Sequence, residues 1–143
     1  MDFQLSTEQS ILQQRARAFT RQNVAPLAAQ YDRVALFPWE IFHQAREQGL
    51  LHLNIPSSHN GKGLGISELA IVSEELAWGC AGICAAINLN ALAIAAFLID
   101  GSPAQQSLYF KRLLAGDLCS FALTEPDAGS DVAALQTTAK RMG

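Results

Sequence analysis

Up to Gly116 the apolar residues of this chain recur at helical spacing, and beyond it Cys119, Phe121 and Leu123 alternate with Ser120, Ala122 and Thr124. Spacing near 3.6 lays an apolar stripe along a helix, whereas alternation suits a half-buried strand. The switch divides the chain into a helical part and the opening of a β part, with the boundary between Gly116 and Cys119. The expected fold class is mainly α. An N-terminal helical bundle occupies 1–117, followed by the first strands of an incomplete β-domain over 118–143. A length of 143 residues fits one domain, or one domain plus a fragment.

Six helical segments are expected before the first strand. Ser6 with Gln9 forms a capping-box signal, and Ile11, Leu12, Ala16 and Phe19 continue at helical spacing. Pro26 ends or restarts this helix, and a short segment follows near Leu27 to Tyr31. Pro38 suits a first helical position, with Ile41, Phe42 and Ala45 on one face and Gly49 as terminator. Leu51 to Pro56 reads as irregular. Ser67 is the expected cap of the next helix, whose inner face carries Leu69, Val72 and Leu76. Gly79 and Gly82 flank a break before the apolar run Ile83 to Ile99. Ser102-Pro103 opens the last helix, in which Tyr109, Leu113 and Leu114 continue the periodicity and Gly116 ends it.

The run Ile83 to Ile99 is short for a membrane span and holds Asn88 and Asn90 at its centre, so it reads as a buried core helix. Trp78 and Phe97 read as core. Half the residues are hydrophobic and only 16% are charged, which supplies a core and implies apolar faces that further chain or another subunit covers. A net charge of −3 gives no electrostatic case for nucleic acid, and Arg15, Arg17 and Arg21 read as a solvated helix face. The polar N-terminus has no secretory pattern. With three cysteines, Cys80, Cys84 and Cys119, the expectation is a reducing, cytoplasmic setting without a disulfide framework. Cys80 and Cys84 lack a second tight pair, so no metal site is expected.

After the strand, Pro126, Asp127, Gly129, Ser130 and Asp131 make a turn-rich loop. Backbone N–H groups in such a turn, with the hydroxyls of Thr124 and Ser130, suit a phosphate or the heteroatoms of a flavin ring. Gly129 is able to take dihedrals that other residues resist. Composition alone favours a plain surface turn, the ordinary connection in any domain, and does not identify a flavin. Ser130 has no histidine near it in sequence to activate it as a nucleophile.

The ordered string Phe121-Ala122-Leu123-Thr124-Glu125-Pro126-Asp127-Ala128-Gly129-Ser130-Asp131 resembles the cofactor loop of the acyl-CoA dehydrogenase flavoproteins. The resemblance extends along the chain. It includes the opening Phe3-Gln4-Leu5-Ser6-Thr7-Glu8-Gln9, the turn Asn60-Gly61-Lys62-Gly63-Leu64-Gly65, the helix Ser73-Glu74-Glu75-Leu76-Ala77 and the segment Leu135-Gln136-Thr137-Thr138-Ala139. Trp78-Gly79-Cys80 is similar to the short- and medium-chain branch. Two positions depart from the pattern: Asp127 stands where the family usually has glycine, and Lys62 interrupts what is commonly a double glycine.

The resemblance implies an FAD-dependent oxidoreductase that converts an acyl-CoA to a 2,3-enoyl-CoA and passes electrons to an electron-transfer flavoprotein. It implies cofactor contacts from Phe121, Ala122, Leu123, Thr124, Gly129 and Ser130, with Ser130 also meeting the acyl-CoA. Asn88, on the helix that closes the far end of the family's acyl pocket, is the other expected substrate contact, although an Asn bonded within the core is the competing reading. The motif glutamate, Glu125, is expected to support structure rather than move protons. The family's catalytic base comes from a C-terminal helical bundle, so no catalytic residue is expected within these residues and the chain alone is expected to lack turnover. A homo-oligomer is expected of the complete enzyme. The alternative is a non-catalytic helical module that docks on a partner supplying the rest of the fold.

Overall fold

The computed structural model describes residues 4–142, so Phe3 of the opening motif lies outside the described residues. Seven α-helices are formed among them. They are α1 (Thr7–Phe19), α2 (Ala28–Val34), α3 (Trp39–Glu47), α4 (Ile66–Gly79), α5 (Ala81–Asn88), α6 (Asn90–Asp100) and α7 (Pro103–Ala115).

The first and last helices start where their caps dictate. Ser6 Oγ accepts from the Gln9 N–H while the Gln9 side chain accepts from the Ser6 N–H, and Ser102 with Gln105 repeats the arrangement. Each box satisfies two N–H groups that a helix start otherwise orphans. Before Pro26 the chain widens into a π turn at Thr20–Val24 and then tightens to a 3₁₀ turn at Ala25–Leu27. A proline lacks the N–H that an α-helix would use there, and its ring collides with the preceding turn. The last helix stops at Gly116, whose φ of 113° is open to glycine and strained for other residues.

The main core joins α1, α3, α4 and α5 through Leu12, Phe19, Ile41, Phe42, Leu76 and Ile87. A smaller cluster of Ile55, Ile94, Phe110 and Leu113 lies between α6, α7 and the irregular segment before α4. The α1–α4 contact also carries an ion pair: Arg17 Nε donates to Glu75 Oε2 at 2.9 Å, and Nη2 reaches Oε1 at 2.5 Å. Gly79 ends α4 where the chain passes close, since a Cβ there would collide with Thr20 and Val24.

Several expectations are corrected. The cap of α4 is Gly65 rather than Ser67, because Glu68 reaches back to the Gly65 N–H at 3.0 Å. Pro38 precedes the first helical residue of α3 instead of occupying it. In α7 the buried residues are Phe110 and Leu113, while Tyr109, on the same periodicity, is 39% exposed. Trp78 is exposed, with the Arg21 guanidinium above its ring at 5.7 Å, so it is a surface cation–π partner and not core.

The apolar run is two helices, broken at Leu89, and is core on one face only, where Ile83, Ile87 and Ile94 enter the two clusters. Only 33% of its most apolar window is covered, leaving Leu89, Leu92 and Ile99 exposed. Ala81–Asp100 is long and apolar enough to cross a membrane by length and composition. Its asparagines, however, bond within the fold, Asn88 to Ser73 and Asn90 to Cys119.

The strand over Cys119, Phe121 and Leu123 is not formed, and no strand exists among the described residues. A strand needs a neighbour to take its backbone N–H and C=O groups. The nearest thing to a ladder here is one isolated bridge, Glu125 with Ala128.

Candidate functional site

The loop leaves the bundle at two tethers. Arg112 Nε donates to Asp117 Oδ2 at 2.7 Å just after α7 ends. The Cys119 N–H then donates to Asn90 Oδ1 at 2.8 Å, and its thiol lies 3.3 Å from the same oxygen. Asn90 is buried and holds the loop's root against α6. Its role was open to prediction, because a polar residue in an apolar helix requires a partner; only the identity of the partner was hidden.

Beyond this root the backbone closes on itself. The Glu125 N–H donates to the Ala128 carbonyl at 3.0 Å and the Ala128 N–H returns the bond at 3.2 Å, with Ala128 buried inside the turn. Glu125 then ties in the following segment. One carboxylate oxygen accepts from the Gln136 N–H and the other from the Thr137 N–H, both at 2.8 Å. Hydrogen bonding from Thr137 first, and Gln136 second, holds the Glu125 carboxyl below the usual carboxylate range. A carboxylate held ionised with both oxygens engaged supports the loop and makes a weak proton acceptor.

The turn brings Leu123 and Thr124 to one side of the bridge and Gly129 and Ser130 to the other. Phe121, Ala122, Leu123, Thr124, Gly129 and Ser130 are all exposed, Phe121 by 45% and Leu123 by 41%. Neither the Thr124 nor the Ser130 hydroxyl has a hydrogen-bond partner among the described residues. Gly129 does not take a positive φ, and nothing lies within 4 Å of where its Cβ would be. Its predicted conformational demand is therefore absent, and the space beside its backbone is open. Asp127 is exposed and points no charge into the bundle.

Asn88 stands apart from this constellation. Its Nδ2 donates to Ser73 Oγ at 2.8 Å and lies 3.5 Å from Cys84 Sγ, bonds that fix it between α5 and α4. No hydrogen bond joins it to the loop among the described residues. Burial raises the pKa of Cys84 and of Cys119, so both are protonated thiols at neutral pH.

The family profile described as "Acyl-CoA dehydrogenase, N-terminal domain" matches residues 6–117. Among curated relatives, the chain is 35% identical over its whole length to the probable medium-chain specific acyl-CoA dehydrogenase 2, mitochondrial, of Caenorhabditis briggsae, of which it covers 35%. It is 39% identical over 99% of its length to the 3-sulfinopropanoyl-CoA desulfinase of Paraburkholderia xenovorans, covering 37% of that protein. Its fold superposes with a TM-score of 0.85 on the solved glutaryl-coenzyme A dehydrogenase–glutaryl-CoA complex, at 36% identity over 94% of this chain and 35% of that one. The chain thus spans a little over a third of the length of these relatives.

Proposed function

The chain belongs to the acyl-CoA dehydrogenase family, and on that premise we propose that it is the N-terminal portion of an FAD-dependent oxidoreductase acting on the CH–CH group of acyl-CoA thioesters. The observation that carries this reading is the Glu125–Ala128 turn, which presents Thr124 and Ser130 hydroxyls beside exposed Phe121 and Leu123. A flavin is a flat apolar ring edged with hydrogen-bonding atoms, and this donor set beside apolar surface fits it.

In this reading Thr124 and the backbone of Leu123 and Ala122 hold the ring, with Gly129 leaving room for it. Ser130 meets both cofactor and acyl-CoA, and Asn88 limits the length of acyl chain accommodated. FAD, when bound, accepts the hydride that leaves the β-carbon as the enoyl-CoA forms. By resemblance to the family, the α-proton would go to a carboxylate from the rest of the fold, and Glu125, whose two oxygens accept from Gln136 and Thr137, would not take it. The electron acceptor is an electron-transfer flavoprotein, the complete enzyme is a homo-oligomer, and its setting is the cytoplasm.

A second reading, a non-catalytic helical module docking on a partner that supplies the remainder, draws on the exposed residues of α5 and α6, Leu89, Leu92 and Ile99. The test is to express the reading frame continuing beyond Gly143 and titrate the product anaerobically with acyl-CoA esters. Bleaching of a bound flavin by a saturated acyl-CoA supports the first reading. A colourless product, or a flavin that no acyl-CoA reduces, contradicts it.

A further inference from the structure

On the side of the bundle where α3 runs into the irregular segment before α4, Arg46, Gly49, His52, Asn60, Lys62 and Leu114 line a cavity of about 220 Å³. No carboxylate lines it. The two cations have only neutral acceptors: Arg46 Nη2 donates to the Leu114 carbonyl at 3.1 Å, and Lys62 Nζ donates to the Gly49 carbonyl. Glu47 follows Arg46 on α3 without forming an ion pair, and Asp117 is engaged by Arg112. Two cationic side chains, both exposed, thus line one small space in a chain whose net charge is −3.

His52 adds to the arrangement. It sits at a φ of 52°, which is costly for a residue with a side chain, and both ring nitrogens are buried without a partner. Burial first, and the charge of Arg15 second, push the Lys62 pKa down, the mark of an ammonium that is partly stripped of water and crowded by like charge. A bound anion would offset the like charge.

We propose that this cavity is a binding site for a small oxyanion group, a phosphate or a carboxylate, held between the Arg46 guanidinium and the Lys62 ammonium. A planar guanidinium and a mobile ammonium are the usual partners of such groups. The volume falls below that of pockets for drug-sized ligands, so the site takes the charged group of a ligand or a free ion. It is separate from the Thr124–Ser130 turn and does not depend on the flavin reading.

The test uses the full chain, with inorganic phosphate and acetate as probes in buffers matched for ionic strength with chloride. The melting temperature and the imidazole C–H resonance of His52, assigned with His52→Asn, are followed on titration. A saturable response to phosphate or to acetate, weakened about tenfold in Lys62→Gln and in Arg46→Gln and unchanged in Arg33→Gln on α2, is expected. A stronger response to phosphate identifies a phosphate site, and an equal or stronger response to acetate a carboxylate site. No saturable response, an unmoved His52 resonance, or variants that titrate like the wild type would overturn the proposal. Lys62 is exposed, so its variant carries the test even if Arg46→Gln fails to fold.

Discussion

The histidine at position 52 makes the stability of this chain depend on pH in a calculable way. Burial first, and the charge of Arg46 second, lower its pKa from 6.5 to about 4. In the unfolded chain the imidazole takes a proton below 6.5, whereas in the folded chain it resists protonation down to about 4. Its contribution is therefore whole above pH 6.5 and is lost as pH falls through this window. At about 1.4 kcal/mol per pH unit, the gap corresponds to about 3 kcal/mol, of which about 2.5 is lost by pH 4.5. That is a large share of the roughly 5–15 kcal/mol by which domains are stable. Asparagine tolerates the left-handed backbone at this site and does not titrate, so His52→Asn isolates the effect. Urea unfolding of both proteins at pH 7.5, 6.0, 5.0 and 4.5 should show the wild type losing about 2.5 kcal/mol relative to the variant across the series. A difference between the two that stays constant with pH would refute the reasoning.

Three further outcomes follow from the packing. Ser102→Ala removes the cap of α7 and should cost about 1 kcal/mol in urea unfolding. Arg17→Met leaves the buried Glu75 carboxylate unpaired, while Glu75→Gln leaves a half-exposed guanidinium that water can serve. The first should therefore cost more, and equal losses in thermal or urea melts would contradict the assignment of burial. Glu125→Gln keeps one acceptor oxygen where two are used, so amide exchange at Gln136 or Thr137 should quicken about fivefold, the value of one net hydrogen bond. The melting temperature should barely move, because the loop lies outside both core clusters.

The helical part of this fold was legible because its signals are local. Ser6 with Gln9 and Ser102 with Gln105 mark their helices by side-chain chemistry alone, and Gly49 and Gly116 both take the positive φ that helix ends favour. Ile41, Phe42 and Ala45 were read as one buried face and are fully covered. What local pattern could not supply was company. The alternation at Cys119, Phe121 and Leu123 is a strand signal, yet a strand forms only against a neighbour. The exposed faces of α5 and α6 have the same origin: apolar residues read as core regardless of which chain covers them. In the loop, the residue string predicted a turn with Thr124 and Ser130 together. The clamp by Glu125 and the anchorage by Asn90 depend on contacts 11 and 29 residues apart, which no local pattern encodes. The cavity around Arg46, His52 and Lys62 was hidden for the same reason.

The proposed flavin site has one half in the turn from Phe121 to Ser130, with the other half supplied by the rest of the family's fold. The most direct measurement is the flavin-to-protein ratio, by visible absorbance, of the purified chain and of the product of its continuing reading frame. No retained flavin is expected on the chain alone. About one flavin per chain is expected on the longer product, diminished by Thr124→Ala and Ser130→Ala. Flavin retained by the chain alone, or none on a folded longer product, would contradict this proposal.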